Sequence, residues 1–204
     1  MKTIRLVRHG EAFSNMQGNE GEGKEKDSLT NEGNLQSQTF ADSFNSSSTS
    51  LLIVSSMYKR AQQTANPLRV KYPNSAAETW EEVSEYYYLS DKLEGEAKKI
   101  LRKEYWLRND PEHRTDTDVE NFIEFVKRVD NTIAKIKKSP QDEIVIFTHA
   151  KFMRLFLLRL VHRKNIDLKY LMTSLNGYKH KVDYCDSFKF FLDKKGSFLI
   201  SEFE

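Results

Sequence analysis

A single cysteine, Cys185, is present in 204 residues. One thiol excludes an intrachain disulfide and supplies no zinc cluster, a usage that suits a reducing compartment. Charge of one sign is missing too. The 32 Lys and Arg stand against 30 Asp and Glu for a formal net charge of +2, so no general attraction to nucleic acid or an anionic membrane is expected and charge must be judged locally. No apolar run reaches the length that spans a bilayer, and the amino terminus arrives at a strand-like "TIRLV" without the apolar stretch of a secretory leader. The expectation is a cytoplasmic protein with neither nucleic acid nor membrane among its partners. No internal repeat or domain linker stands out, and with 38% hydrophobic residues residues 1–204 are expected to bury one core as one domain.

What is present alternates between two periodicities. "TIRLV" (Thr3 to Val7), "LLIVSS" (Leu51 to Ser56) and "EIVIFT" (Glu143 to Thr148) are short apolar runs with polar bounds, which suits parallel strands covered on both faces. Two later runs, Asp186 to Asp193 and Ser197 to Phe203, read as an antiparallel hairpin at the sheet edge around "DKKGS". Between them lie helical patterns. Behind an N-cap at Thr30, Leu35, Phe40, Ala41 and Phe44 share a face, as do Ala61, Ala65 and Leu68. A long amphipathic stripe runs from Val119 through Phe122, Val126, Val129 and Ile133 to Ile136, and Phe152 to Val161 reads as a mostly buried helix. The alternation predicts a three-layer α/β/α sandwich around a mostly parallel sheet with an antiparallel edge.

Less regular stretches remain. "SSSTS" is a polar connector, and Gly18 to Asp27 reads as a solvated loop placed to fold over a ligand. Residues 86–118, dense in charge and aromatics and carrying a helix from Leu93 to Leu107, are expected to form a cap; their aromatic residues serve either packing or stacking on a ligand. Cys185 reads as a small strand residue, with no histidine near it in sequence to activate it.

Chemistry gathers at strand ends. "LVRHGE" sets Arg8 and His9 at the carboxyl end of the first strand, where open α/β sheets collect ligands, and Gly10 permits a tight turn or a close backbone approach. "THAK" repeats the arrangement with His149. The strand "LLIV" ends in "SSMYKR" and delivers Arg60 on the first turns of the next helix. Three strands therefore bring two histidines and two arginines to one edge.

These segments, in this order and separation, resemble the histidine phosphatase superfamily, also called phosphoglycerate-mutase-like. "LVRHGEAFSN" is similar to its Arg-His-Gly signature followed by an asparagine, "SSMYKRAQQTA" to its second motif and "VIFTHAKFMR" to its late histidine motif. The similarity runs from Thr3 to about Asn176. Two departures stand out: Met57 follows Ser56 where proline is common, and Ala150 follows His149 where glycine is common. In "TWEEVSEYYYLS" the family's acidic residue matches Glu85, with Glu82 in reserve three residues earlier.

The resemblance implies a phosphoglycerate-mutase-like fold and assigns roles that the chemistry of the groups supports. His9, neutral near its ordinary pKa of about 6.5, attacks phosphorus to form a phosphohistidine. Arg8, Arg60 and His149 hold the equatorial oxygens, with Asn15 a further phosphate contact or simply a helix cap. Glu85 gives a proton to the leaving oxygen and then takes one from water. No metal or other cofactor is called for. His113, His162 and His180 lack such a setting and read as surface or packing residues. A phosphatase is favoured because the segment after Glu85 does not resemble the long substrate loop of glycolytic mutases; a mutase-type transfer and a nonenzymatic phosphoprotein-binding module are the alternatives. The expected partner is a small phosphorylated metabolite, with a phosphoprotein as the second class, and oligomeric state is not readable.

Overall fold

The computed structural model describes residues 1–16, 26–162, 166–177 and 181–203. Along the chain run β1 (Lys2–Arg8), α1 (Asn31–Ser43), β2 (Leu51–Ser55), α2 (Lys59–Lys71), β3 (Ala76–Thr79), α3 (Gly95–Arg108), α4 (Phe122–Lys138), β4 (Glu143–Thr148), α5 (Ala150–Val161), α6 (Leu168–Gly177), β5 (Ser187–Leu192) and β6 (Phe198–Phe203). The strands form one sheet in the order β3-β2-β4-β1-β5-β6. The first four of that order are parallel neighbours, with Leu6 opposite Ile146 and Val54 opposite the same residue on the other side. β5 joins β1 antiparallel and β6 closes that edge, as expected from the sequence.

Both faces of the central strands are covered, which explains why their sequences are apolar runs without alternation. Ile4, Leu6, Leu52, Val54, Ile144 and Ile146 pack against Phe122, Phe125 and Val129 of α4 and Phe152 and Phe156 of α5. Residues of opposite parity, Val7, Ile53, Val145 and Phe147, meet Ala41 of α1 and Ala65 and Leu68 of α2. That is the three-layer α/β/α sandwich. No helix among the described residues is long and apolar enough to cross a membrane.

Several elements differ from expectation. α4 starts at Phe122 rather than Val119 because Asn121 and Glu124 form a reciprocal capping box, each side chain accepting from the other's backbone N–H at 3.0 Å. Leu35 does not share the inner face of α1 and is 61% exposed. The buried positions of that helix are Gly33, Ser37 and Ala41, a small-residue seam four residues apart. β3 was not anticipated: all four of its side chains are exposed, so the backbone ladder to β2 defines it. α6 was missed as well, although Leu171, Met172 and Leu175 are buried at helical spacing. Cys185 lies in the turn before β5, at φ 60°, with its N–H donating to the Arg8 carbonyl at 3.1 Å. Burial pushes its thiol up to about 12, far from a reactive thiolate.

Candidate active site

β2, β4 and β1 are adjacent, so the segments leaving their carboxyl ends meet at one edge of the sheet. The loop after β1 lies directly on the first turn of α1. A Cβ on Gly10 would come 2.6 Å from the Gly33 carbonyl oxygen, and one on Gly33 only 2.0 Å from that of Glu11. Glycine is therefore required on both sides by contact distance. The loop is pinned further by Gly10 N–H donating to Thr64 Oγ1 at 3.0 Å and Thr30 N–H donating to the Glu11 carbonyl at 3.0 Å.

His9 is buried, and its Nδ1 is 2.7 Å from the Gly10 carbonyl oxygen. A carbonyl only accepts, so Nδ1 carries the proton and Nε2 keeps a lone pair. That lone pair accepts from Arg60 Nε at 3.2 Å. Burial, then the Arg60 and Arg8 charges, hold the His9 pKa well below the ordinary 6.5, so the ring is neutral. Arg60 is itself buried, with Nη1 3.6 Å from Asp27, a carboxylate with no exposed surface. Asp27 also accepts from the Ser14 backbone N–H at 3.1 Å and from the Ser14 hydroxyl. The expected solvated loop thus ends in a buried anion behind the cleft; Gly18 to Glu25 of that loop, like His180, lie outside the described residues.

His149 is fully buried, its ring centroid 5.0 Å from that of His9. Its Nδ1 stands 3.4 Å from Arg60 Nη2 and its Nε2 2.8 Å from Ser56 Oγ. Because the guanidinium can only donate, Nδ1 accepts and Nε2–H donates to Ser56. Burial and then the Arg60 charge keep this pKa, too, well below 6.5. Tyr58 closes one side, its ring edge-on to His149 with centroids 5.0 Å apart. Arg8 donates through Nη1 to the Val182 carbonyl at 2.6 Å and lies over the Tyr184 ring at 4.1 Å, while its buried Nε has no hydrogen-bond partner among the described residues.

The two glutamates point to different places. Glu85 sits at the N-terminus of α5, where Oε1 accepts from the Tyr86 and Phe152 N–H groups at 3.0 and 3.3 Å and Oε2 from Lys151 N–H at 3.3 Å. It shares a cleft with Tyr58 and Arg60. Glu82 turns to α4 and pairs with Lys135 at 3.4 Å, lining a separate depression with Trp80 and Lys138. Thr148 Oγ1 donates to the Val83 carbonyl and anchors this segment to the end of β4.

Arg128 of α4 holds the same segment from behind. Its Nη1 donates to the carbonyls of Glu82 at 2.9 Å and Ser84 at 2.7 Å, its Nη2 to that of Glu85 at 3.3 Å, and its Nε to Glu120 at 3.1 Å. Glu120 in turn accepts from Tyr87 N–H at 3.0 Å. Neither Arg128 nor Asp27 was singled out from sequence. Their partners are mostly backbone carbonyls or residues far along the chain, and no residue pattern encodes that.

Asn15 is exposed on a short 3-10 turn, where its Oδ1 accepts from Ala12 N–H at 3.2 Å, the local cap weighed from sequence. In residues 86–118 the aromatics are chiefly internal. Tyr86 stacks on Phe125 with centroids 4.4 Å apart and on Tyr88 at 4.8 Å, its hydroxyl bonds to that of Tyr105, and Trp106 donates to the Tyr88 hydroxyl at 3.0 Å. These rings form the packed wall of a cleft of about 400 Å³ that opens from Arg60 and Glu85.

The family model for the histidine phosphatase superfamily (branch 1) matches residues 4–186. Among solved structures, a putative alpha-ribazole-5'-P phosphatase from Escherichia coli K-12 is 20% identical with a TM-score of 0.77, covering 100% of this chain and 96% of that one. The alpha-ribazole phosphatase of Shigella flexneri is 21% identical with a TM-score of 0.77, covering 98% and 95%. A mutant phosphoserine phosphatase of Entamoeba histolytica in complex with phosphoserine is 18% identical with a TM-score of 0.71, covering 100% and 96%. No curated protein matches the sequence. At these identities the structural neighbours establish the shared fold.

Proposed function

The chain belongs to the histidine phosphatase superfamily, and we propose that it is a phosphatase that hydrolyses phosphomonoesters of small metabolites through a covalent phosphohistidine on His9. The observation that carries this reading is the state of His9: Nδ1 is tied to the Gly10 carbonyl at 2.7 Å and Nε2 faces Arg60 with its lone pair, in a ring kept neutral. A buried imidazole with one basic nitrogen aimed into a cationic cleft is a prepared nucleophile.

In the first step the Nε2 lone pair forms a bond to phosphorus while the bond from phosphorus to the ester oxygen breaks. That oxygen leaves with a proton from the Glu85 carboxyl. Arg60 moves its donors from the imidazole to the phosphoryl oxygens, Arg8 adds its free Nε–H, and His149, which takes a proton from solvent on Nδ1 as the anionic phosphate enters, donates it to the same oxygens. Asn15, one residue beyond Ser14, offers its amide N–H₂ to the bound phosphate. In the second step Glu85 takes a proton from water, the water oxygen bonds to phosphorus and the P–N bond breaks, which releases inorganic phosphate and restores His9. Residues 86–118 serve as the cap on the leaving-group side.

Rapid-quench mass spectrometry during turnover of an aryl phosphate tests the proposal. An acid-labile adduct on His9, formed and consumed at the turnover rate, is expected. An adduct on another residue overturns the mechanism, transfer to an added phosphorylated acid in preference to water makes the protein a mutase, and phosphate-dependent binding without turnover makes it a binding module.

A further inference from the structure

Resting on the phosphatase reading above, we infer that the leaving group accepted by this site carries a second anionic group, a carboxylate or a second phosphate, which Arg102 and Lys151 hold in the cleft. A general acid must reach the leaving oxygen, so the leaving group lies on the side of Glu85. Lys151, Lys98, Arg102 and Trp106 line the cleft that holds Glu85, with a volume of about 400 Å³. That volume suits a small metabolite.

Charge decides what kind. Of the cations that line the cleft beyond the phosphate clamp, Lys98 is compensated by Asp91 at 3.8 Å. Arg102 and Lys151 line the same cleft and make no ion pair with any described residue. The Lys151 ammonium is 5.6 Å from the Tyr88 ring, and the backbone N–H of the same residue donates to Glu85. Arg102 is exposed on α3 with its planar fork available for a carboxylate or phosphate.

Much of the aromatic wall serves packing. Tyr86 has Phe125 and Tyr88 stacked on it, and Trp106 meets Tyr86, Tyr88 and Tyr105 edge-on. Tyr86, Tyr88 and Trp106 are thus packed chiefly on one another, while Tyr58 and Tyr87 also line the cleft. The leaving group is read by charge.

Calorimetric titration with nonhydrolysable alkyl phosphonates tests this. Three probes of equal chain length end in a carboxylate, a second phosphonate or a neutral carboxamide. The charged ends are expected to bind about tenfold more tightly than the carboxamide at low salt, an advantage that shrinks as salt is added. Arg102→Gln, at an exposed position, is expected to abolish most of that ratio, and Lys151→Gln to reduce it. The tighter of the two charged probes identifies which anion is read. Equal binding of all three probes to the wild-type protein overturns the inference, and so does a ratio that survives both substitutions. Turnover of p-nitrophenyl phosphate is measured in parallel. Turnover without an anion preference overturns the subsite alone, whereas the preference without turnover supports the subsite and overturns the hydrolytic reading.

Discussion

Arg60 Nε donates to His9 Nε2 across 3.2 Å, so the cation of the proposed phosphate clamp sits on the lone pair that the proposed mechanism sends to phosphorus. Arg60→Ala is expected to act in two ways. The rate of phosphoryl transfer to His9 should fall by about two to three powers of ten, the scale of losing a transition-state donor. The His9 pKa should rise, because the Arg60 charge is among the causes that lower it. Single-turnover rates and NMR titration of the ring measure the two effects. Near-normal phosphorylation in the folded variant removes Arg60 from the clamp.

Stability should weaken on the acid side for a related reason. His9 and His149 are both buried with pKa values well below 6.5, chiefly through desolvation. Between each folded pKa and the unfolded value near 6.5 the unfolded chain binds more protons. Stability contributed by the neutral rings is therefore complete above about pH 6.5 and is lost as pH falls toward the folded values, by at most about 1.4 kcal/mol per pH unit for each ring. Thermal melts from pH 7.5 to 5 are expected to show a falling midpoint. Bound inorganic phosphate is expected to flatten that fall by favouring charged His149. A midpoint independent of pH down to 5, with or without phosphate, contradicts the buried neutral pair.

How far the sequence anticipated this arrangement depended on whether a residue acts through its own side chain in a local pattern. β1, β2 and β4 were legible because strands covered on both faces must be apolar throughout, and His9, Arg60 and His149 because each comes just after such a run. β3 was not, since its exposed AAET side chains bury nothing and only its ladder to β2 defines it. Leu35 misled because apolar periodicity takes burial for granted, whereas α1 turns Gly33, Ser37 and Ala41 inward to let the loop after His9 approach. Glu82 stayed in reserve behind Glu85 for another reason. Their segment contains a 3-10 turn at Glu81–Val83 and is shaped by Arg128, so three residues of spacing do not imply a shared face.

The Arg128 contacts make it a positioning residue for Glu85 that touches no reacting atom. Arg128→Lys keeps the charge but cannot supply three carbonyls and Glu120 with one ammonium. Transfer from an alkyl phosphate is expected to slow about tenfold or more with KM little changed, and transfer from an activated aryl phosphate much less. Partial misfolding would instead lower both in proportion to the active fraction. Arg128→Met should also cost about 3 kcal/mol in denaturant unfolding, because Glu120 loses its partner. Equal slowing of both substrates in Arg128→Lys assigns the residue a purely structural part.

Glu85 and Glu82 are separated most sharply by dependence on the leaving group. An alkoxide is too basic to depart without a proton, whereas a nitrophenolate leaves readily. Glu85→Gln keeps the volume of the side chain and an oxygen that can take the place of Oε1 toward the Tyr86 and Phe152 N–H groups, while removing the transferable proton and the Oε2 acceptor of Lys151 N–H. Its phosphorylation of His9 is expected to slow by at least about two powers of ten with an alkyl phosphate, and far less with p-nitrophenyl phosphate. Hydrolysis of the phosphohistidine should slow with both, since the same group must take a proton from water. Glu82→Gln breaks an ion pair with Lys135 whose two side chains are 37% and 40% exposed, so it is expected to cost less than about 1 kcal/mol and to leave both rates intact. The measurement is single-turnover formation and decay of the adduct with each substrate. A leaving-group-dependent defect in Glu82→Gln alone would reverse the assignment despite the geometry. Absence of the defect from both variants would move the acid to the substrate itself, where a second carboxyl or phosphate held beside Lys151 is the nearest candidate.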